Sequence, residues 1–234
     1  MTAILKRELY SYFRSPIAYI FIAIFYAFSG LYFYATSMMY QTADLSSVFG
    51  SMFTIVLFII PILTMRLHSE DRRQKTDQAL LTAPIKLSSI ALGKYFSAVL
   101  IYLISIAITL VYGVILSFFA TPDWAVIFGN FIGLFLLGAA LIAICMFISA
   151  LTENQVIASV GGFAVAIIVM MTDAIASIVN VDFLKQTILS ISFNQHYSNF
   201  TVGILDVSDL LFFLSVIALF VFFTVRVFEK RRWS

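Results

Sequence analysis

The sequence has little charge, one cysteine and two histidines. Only 11% of its 234 residues are charged and 62% are apolar, whereas roughly a quarter of an ordinary soluble domain is charged. The single cysteine, Cys145, excludes an intrachain disulfide. The two histidines, His68 and His196, are too few for a histidine-rich metal centre. A soluble enzyme, a disordered tail and a nucleic-acid binder are therefore poor interpretations, and lipid is the solvent that suits this composition.

A phosphate-binding loop is also missing. The one Gly-Lys pair, Gly93-Lys94, is followed by Tyr95 and lacks the upstream glycine of the motif G-x-x-x-x-G-K-[ST]. Clustered histidines, clustered carboxylates and nucleophile–base pairs are absent near the ends of the apolar stretches. We therefore predict that the chain is not an enzyme, binds no cofactor of its own and depends on another polypeptide for any use of ATP.

Six apolar stretches are long enough to cross a membrane, since about 20 helical residues span the hydrocarbon. They cover residues 17–36, 48–65, 95–119, 125–151, 156–179 and 210–227. With the N-terminus in the cytoplasm, 13 of the 14 basic residues lie inside and only Lys185 outside, so the net charge is +7 inside and −5 outside. The positive-inside rule then predicts an all-α integral membrane protein of six transmembrane helices with both termini cytoplasmic.

Residues 1–15 are predicted to form a separate amphipathic helix at the inner membrane interface. One face carries Leu5, Leu9 and Tyr12, the neighbouring face carries cations that would lie near anionic lipid headgroups, and Pro16 separates the helix from the first span. The chain thus divides into an interfacial helix, 1–15, and a six-span permease domain, 16–234. A plain membrane anchor and a docking surface for a partner both fit this helix.

The connection 66–94 is the most charged part of the chain, with nine charged residues in 29. It turns apolar at Leu80 and Leu81, breaks at Pro84 and is expected to restart as a short helix capped by Ser88 or Ser89. A turn between two spans needs only a few residues. We therefore predict that segment 66–94 forms a surface that binds another cytoplasmic protein. The alternative is a solvated, positively charged cytoplasmic loop.

Two further features concern the spans and the outer side. Pro61 interrupts the second span and is a candidate hinge, whereas Asp173 is predicted to snorkel or to end the fifth span. The outer segment 180–208 is unusually apolar for a loop. It is predicted to form short re-entrant helices between spans five and six, with a passive interfacial hairpin as the alternative. The candidate outer-gate residues are Phe193, Tyr197, Phe200 and Gly203.

Four patterns, taken in order, resemble the permease subunits of type-2 ABC exporters. They are the R-S-P that ends the first helix, the E-D-R-R-x-K-T-D-x-x-L-L-T-x-P run of the first inner loop, the short T-E-N-Q turn and the F-x-x-G-x-x-D that ends the outer segment. The resemblance extends over essentially the whole chain. More narrowly, the chain is similar to small gliding-motility-associated permeases and to single-domain peptide-exporter permeases.

The resemblance implies a partner and a set of contact residues. The first helix would lie beside an ABC ATPase, the first inner loop would carry a coupling helix that seats in a groove of the ATPase, and the T-E-N-Q turn would make a smaller contact. The implied ATPase-contact residues are Arg66, Glu70, Arg72, Arg73, Thr76, Asp77, Leu80, Leu81, Pro84, Ile85, Lys86, Thr152, Glu153, Asn154 and Gln155. Two ATPase copies would bind ATP and magnesium, and two permease chains would form a homodimer in a bacterial cytoplasmic membrane.

The expected function is export of an apolar or amphipathic substrate, with a peptide favoured. A lipid or lipid-linked glycan exporter is an alternative, and so are a nucleotide-independent secondary transporter and a membrane scaffold. The sequence lacks a carboxylate relay in the middle of its spans, which argues against proton-coupled transport.

Overall fold

The computed structural model of the protein describes residues 1–42, 44–73, 75, 86–179 and 181–233. Within these residues six helical stretches are long and apolar enough to cross a membrane. They are Pro16–Met38, Ser46–Arg73, Leu87–Ser117, Trp124–Leu151, Gln155–Ile178 and Val207–Arg232. The predicted all-α fold with six transmembrane helices is therefore confirmed.

The described residues form eleven α-helices and one π-helix. In chain order they are α1 (Thr2–Arg14), α2 (Pro16–Tyr32, continued by a π-helix, Phe33–Met38), α3 (Ser46–Thr64), α4 (Ser69–Arg73), α5 (Leu87–Ile106), α6 (Ile108–Ser117), α7 (Trp124–Leu151), α8 (Gln155–Ile178), α9 (Asp182–Leu189), α10 (Phe193–Thr201) and α11 (Val207–Trp233). Pro16 is the first residue of α2, where its missing N–H removes no helical bond.

Helix α7 is the centre of the bundle and packs against α3, α5, α8, α10 and α11. It is rich in glycine and alanine, which let neighbouring helices approach closely in lipid. A β-carbon at Gly138 would lie 2.2 Å from the ring of Tyr102. The Tyr102 hydroxyl donates a 2.6 Å hydrogen bond to the carbonyl of Leu134. Close packing and interhelical hydrogen bonds therefore hold the core together.

The third span begins earlier than the hydropathy pattern predicts. Helix α5 starts at Leu87, after Lys86, without a side-chain cap, and it runs unbroken to Ile106. The expected separate short helix capped by Ser88 or Ser89 is therefore wrong. Its residues form the first turns of the span, because Leu87 and other apolar residues of these turns are buried against α1 and α11.

Pro61 lies inside α3 without ending it, since the N–H of Met65 still donates to the Pro61 carbonyl at 3.0 Å. The ring is buried against α8, where a β-carbon at Gly162 would lie 2.7 Å from it. Pro61 thus marks a close contact between the second and fifth spans. Its role as a hinge stays a prediction.

The bundle has two chemically different ends. The charged end comprises α1, the described residues of 64–94, residues 149–155 and residues 226–232. The opposite end comprises the described residues of 39–46, 117–130 and 173–209. Each end gathers segments that are far apart in the sequence, and each holds a candidate site.

Candidate functional site

Helix α1 turns three buried residues toward the bundle at the charged end. Ile4, Glu8 and Tyr12 are spaced four residues apart and share one face. Ile4 contacts α5 so closely that a β-carbon at Gly93 would lie 2.9 Å from it. The Tyr12 hydroxyl donates a 2.9 Å hydrogen bond to the carbonyl of Leu63. Burial raises the pKa of Tyr12, so its hydroxyl stays protonated as the donor.

The ammonium group of Lys94 lies at the centre of this end and is only 2% exposed. Its Nζ lies 2.5 Å from Asp71 Oδ2 and 3.4 Å from Glu8 Oε1. It also donates a hydrogen bond to the carbonyl of Leu67. Because a buried charge is tolerated only when it is paired and hydrogen-bonded, these contacts fix α1, α4 and α5 relative to one another. We call Glu8, Asp71 and Lys94 the buried ion cluster.

Two arginines surround the buried ion cluster. Arg7 lies 2.5 Å from the Glu8 carboxylate and 3.3 Å from the other cluster carboxylate. Arg66 pairs with Glu70 at 2.6 Å and donates a 2.6 Å hydrogen bond to Ser15 Oγ, the residue that joins the first two helices. A cavity of about 180 Å³ lies among these groups. The start of the 66–94 connection is therefore tied to the middle of α1 and to its C-terminal end.

Ser149 joins the same connection to α7. Its hydroxyl donates to the carbonyl of Met65 at 3.1 Å and accepts from the N–H groups of His68 and Ser69 at 3.2 and 3.3 Å. The Ser149 side chain thus forms hydrogen bonds with backbone groups at the end of α3 and the start of α4, where helix termini leave N–H and C=O groups without helical partners. This contact holds the start of the first inner connection against the end of the fourth span.

The two inner connections meet at Arg72. Its Nε lies 2.9 Å from Glu153, and its Nη1 donates a 3.0 Å hydrogen bond to the carbonyl of Leu151. In the same turn Thr152 accepts from the backbone N–H of Asn154. Asn154 in turn caps α8 by accepting from the backbone at 2.8 Å. Only part of this turn is therefore needed for capping, since Glu153 faces the first connection.

The structure brings together a subset of the predicted ATPase-contact residues. Arg66, Glu70, Arg72 and Arg73 lie in or beside α4, Lys86 precedes α5, and Thr152, Glu153, Asn154 and Gln155 lie beside α4. The remaining predicted contacts, Thr76, Asp77, Leu80, Leu81, Pro84 and Ile85, lie outside the described residues. The described residues thus include the flanks of the predicted coupling helix but not the helix itself.

Sequence reasoning missed the residues that assemble this end. The sequence pattern places Leu5 and Leu9 on a face directed to the membrane interface and does not single out Glu8, which is buried in the bundle. The spacing of Glu8, four residues from both Ile4 and Tyr12, could have indicated that its carboxylate lies on the same helix face as these two side chains. Lys94 was equally visible as a lone cation inside an apolar helix.

At the opposite end, α10 is buried through its aromatic side chains. Phe193, Tyr197 and Phe200 are at most 7% exposed. The Tyr197 hydroxyl donates a 2.8 Å hydrogen bond to the carbonyl of Phe49 in α3. Phe200 covers Gly133 of α7, where a β-carbon would lie 2.5 Å from it. The candidate gate residues therefore pack into the bundle between the second, fourth and sixth spans.

Gly203 ends this segment in a conformation that favours glycine. Its φ is +83°, a region that side chains rarely adopt. Its α-carbon would lie 3.4 Å from a β-carbon at Gly129 of α7. Gly203, near the predicted end of the outer segment, thus lies where the chain after α10 packs closely against the backbone of α7 at Gly129.

Two carboxylates anchor α10 to the neighbouring spans. Asp209, 3% exposed at the start of α11, lies 2.5 Å from His196 Nδ1 and accepts a 2.8 Å hydrogen bond from Asn199. Asp173 of α8 accepts a 2.6 Å hydrogen bond from Asn194 and a further one from Ser192. Asp173 therefore anchors the outer segment. The helix-ending role predicted for it is wrong, since α8 continues to Ile178, whereas snorkelling stays a prediction.

The fold and its six apolar helices define a multi-pass membrane protein. The family model described as ABC-2 type transporter matches residues 1–185, and the chain belongs to this family. It is accordingly a transport permease subunit of an ABC transporter, not a catalytic subunit, and the family implies association with an ABC ATPase. A search of curated proteins finds no match to this chain.

Proposed function

We propose that this chain is the permease subunit of an ATP-driven exporter in a bacterial cytoplasmic membrane. The charged end faces the cytoplasm with both termini, and the opposite end faces outward. Support comes from the charge distribution, +7 against −5 with Lys185 as the lone outer cation. Membership of the ABC-2 type transporter family supports the ATP-driven mechanism.

A separate ABC ATPase, in two copies, binds ATP and magnesium and contacts segment 66–94. Support comes from the alternation of charged and apolar residues in this segment. On the described side of the segment, Arg73 and Lys75 are exposed, and the Glu153 side chain is 61% exposed. These side chains are accessible to a protein that docks from the cytoplasm.

The observation that carries the coupling mechanism is the pairing of Lys94 with both Glu8 and Asp71. Asp71 belongs to α4, on the N-terminal side of the predicted coupling helix, while Lys94 belongs to the third span and Glu8 to α1. Removing one partner of a buried ion pair costs about 3–5 kcal/mol. A displacement of the coupling segment therefore moves the third span and α1 with it.

Two copies of the permease form a homodimer with the export route between them. Two-fold pairing of identical chains is the commonest arrangement of oligomers. Helices α8 and α11 are the least buried spans and expose apolar side chains such as Val160, Ile168 and Leu214. These faces suit lipid, a second copy or an apolar cargo. The cargo is an apolar or amphipathic molecule, with a peptide favoured over a lipid or lipid-linked glycan.

A nucleotide-independent secondary transporter fits the geometry less well. Ion coupling requires a carboxylate that can bind and release a proton or cation within a span. Asp173 and Asp209 are the carboxylates nearest to such a position, and both are engaged in anchoring α10. A membrane scaffold would need none of these features and would show no transport.

The test compares two matched pairs of substitutions in the permease purified with its ABC ATPase. Leu80→Asp with Leu81→Asp alters the predicted coupling helix. Ile204→Asp with Leu205→Asp alters an exposed apolar pair of the same size at the opposite end. We expect the first pair to abolish ATPase association and cargo-stimulated hydrolysis, and the second to preserve association. Association that survives the first pair of substitutions would contradict the coupling proposal.

A further inference from the structure

At the charged end, a cavity of about 610 Å³ lies between the start of α5 and the last turns of α11. Four of the eight described residues that line it are cations that reach the surface, namely Lys86, Arg226, Lys230 and Arg232. Ser88, half-buried in the first turn of α5, adds a hydroxyl group to the lining. Because the cationic side chains are exposed, a ligand in the cavity can contact them directly.

The cations of this cavity outnumber its carboxylates. Glu229 is the one acidic residue among the described lining residues, and it pairs with Arg226 at 2.6 Å. The other three cations, Lys86, Lys230 and Arg232, form no ion pair with a described residue. Four cations and one carboxylate give the described lining a net charge of +3. The cavity therefore attracts an anion.

One exposed face of α11 changes from apolar to cationic as it approaches the cavity. Four side chains follow one another along this face at intervals of three or four residues: Leu219, Phe222, Arg226 and Lys230. The apolar pair is 48% and 51% exposed. The Arg226 guanidinium lies over the Phe222 ring, 4.9 Å from its centroid, at the boundary between the two parts. Helix α11 is also the least buried span, so its exposed face is accessible to lipid.

The cations of α11 lie at the depth of lipid headgroups. The apolar stretch 210–227 is about 27 Å long as a helix, close to the roughly 30 Å thickness of the hydrocarbon. Lys230 and Arg232 follow within about one and a half turns, which places them beside the headgroups of the same leaflet. Basic pockets between transmembrane helices at this depth are typical sites for the headgroups of anionic lipids.

We propose that this cavity binds the phosphate group of an anionic phospholipid whose acyl chains lie along the apolar face of α11. Lys86, Lys230 and Arg232 attract the phosphate, and each cation near an anionic lipid surface raises affinity about fivefold. A cytoplasmic protein fits this face less well, because the apolar part lies within the membrane. The assignment to the inner leaflet rests on the orientation given under the proposed function. Binding itself needs neither ATP nor an ATPase.

The experiment is native mass spectrometry of the full-length protein in detergent, titrated with phosphatidylglycerol or phosphatidylcholine of the same acyl chains. We expect phosphatidylglycerol to bind at least about tenfold more tightly. Glycerophosphoglycerol, which has the same headgroup but no acyl chains, distinguishes a lipid site from a general anion site. It should not displace the lipid at equal concentration. Equal binding of the two lipids, or displacement by the soluble headgroup, would overturn the proposal.

Two matched pairs of substitutions locate the site. Lys230→Gln with Arg232→Gln removes two cations of the cavity and should lower the preference for phosphatidylglycerol at least about tenfold. Lys75→Gln with Lys185→Gln removes two exposed cations that do not line the cavity, and should change the preference less than about twofold.

The same variants distinguish lipid from the ATPase as the occupant of the cavity. If Lys230→Gln with Arg232→Gln abolished ATPase association and left the lipid preference unchanged, the cavity would belong to the ATPase and the proposal would be overturned. An equal loss of preference in both pairs would also overturn it. Selective lipid binding by a protein that shows no ATP-dependent export would refute the proposed function and support this site.

Discussion

The two ends of the bundle are held by different chemistry. At the charged end, Lys94 is buried between two carboxylates and joins three helices through full charges. At the opposite end, α10 is held by aromatic packing and by neutral or titratable groups that bind Asp173 and Asp209. Buried ion pairs resist separation, whereas single hydrogen bonds contribute about 1 kcal/mol each. The comparison indicates that the charged end is the stiffer of the two ends.

The largest expected effect follows from breaking the buried ion cluster. Lys94→Met leaves two carboxylates without their central cation and should destabilise the protein by about 3–5 kcal/mol. This loss corresponds to a decrease in melting temperature of about 10 °C. Thermal unfolding of the purified protein in detergent measures it.

Two variants control that measurement. Lys185→Met removes an exposed cation of α9 and should change the melting temperature little. Adding Asp71→Asn to Lys94→Met removes one of the two carboxylates that have lost the lysine ammonium group, and should recover part of the loss. A Lys94→Met protein as stable as the wild type would show that the cluster does not stiffen this end.

The second effect concerns the anchor of α10. Asp209→Asn removes the charged acceptor of His196 and Asn199 and should cost about 1.5–3 kcal/mol. Amide hydrogen exchange of residues 193–201 should increase, while that of α1 should not. Asp206→Asn is the control, because asparagine also caps helices and the expected change is below about 0.5 kcal/mol. Exchange that rises equally at both ends would contradict the separation of the two ends.

A third prediction tests the packing of α10 without changing charge. Gly133→Ala places a β-carbon 2.5 Å from Phe200 and should cost about 1–3 kcal/mol through overpacking. Gly50→Ala is the matched control, because a β-carbon there meets nothing within 4 Å. That control should be neutral or stabilising by about 0.5–1 kcal/mol, since alanine favours a helix. Chemical unfolding in detergent distinguishes the two results.

The smallest effect is expected at the exposed pair between the inner connections. Glu153→Gln removes the partner of Arg72 but keeps a polar side chain of the same size. Because the Glu153 side chain is 61% exposed, its contribution to stability should be below about 1 kcal/mol. If Glu153→Gln destabilised the protein as much as Lys94→Met, the exposed Arg72–Glu153 pair, and not the buried ion cluster, would be the main contact that holds the charged end together.

The spans were predictable because crossing a membrane requires only length and apolar composition. The boundary of the third span was wrong, since burial against α1 extends α5 back to Leu87 beyond the apolar run. Hydropathy also did not indicate which face of α1 packs against the bundle, because a hydropathy scale scores Glu8 as polar whatever partner it has. Local composition describes the transfer of single residues to lipid, not the pairing of charges between helices.

The candidate gate was predictable in composition but not in its contacts. An excess of aromatic residues in an outer connection indicated that Phe193, Tyr197 and Phe200 would be buried. The anchors were not predictable, because Asp173 lies about 20 residues from Asn194 and belongs to another helix. The hydrogen bond that Asn130 of α7 donates to the carbonyl of Thr201 has no local signature either, since it forms only where α7 meets the end of α10.

Our central proposal is that ATP bound by the partner ATPase acts at the charged end and thereby loosens the candidate outer gate in α10. It is tested most directly by amide hydrogen exchange of helix α10, Phe193–Thr201, in the permease–ATPase complex with and without ATP and magnesium. The account predicts that ATP increases exchange in α10 of the wild-type complex, and that the increase is absent from a mixture of the ATPase with the Leu80→Asp, Leu81→Asp permease, which should not bind it. Exchange in α10 that ATP leaves unchanged in the wild-type complex would contradict the account.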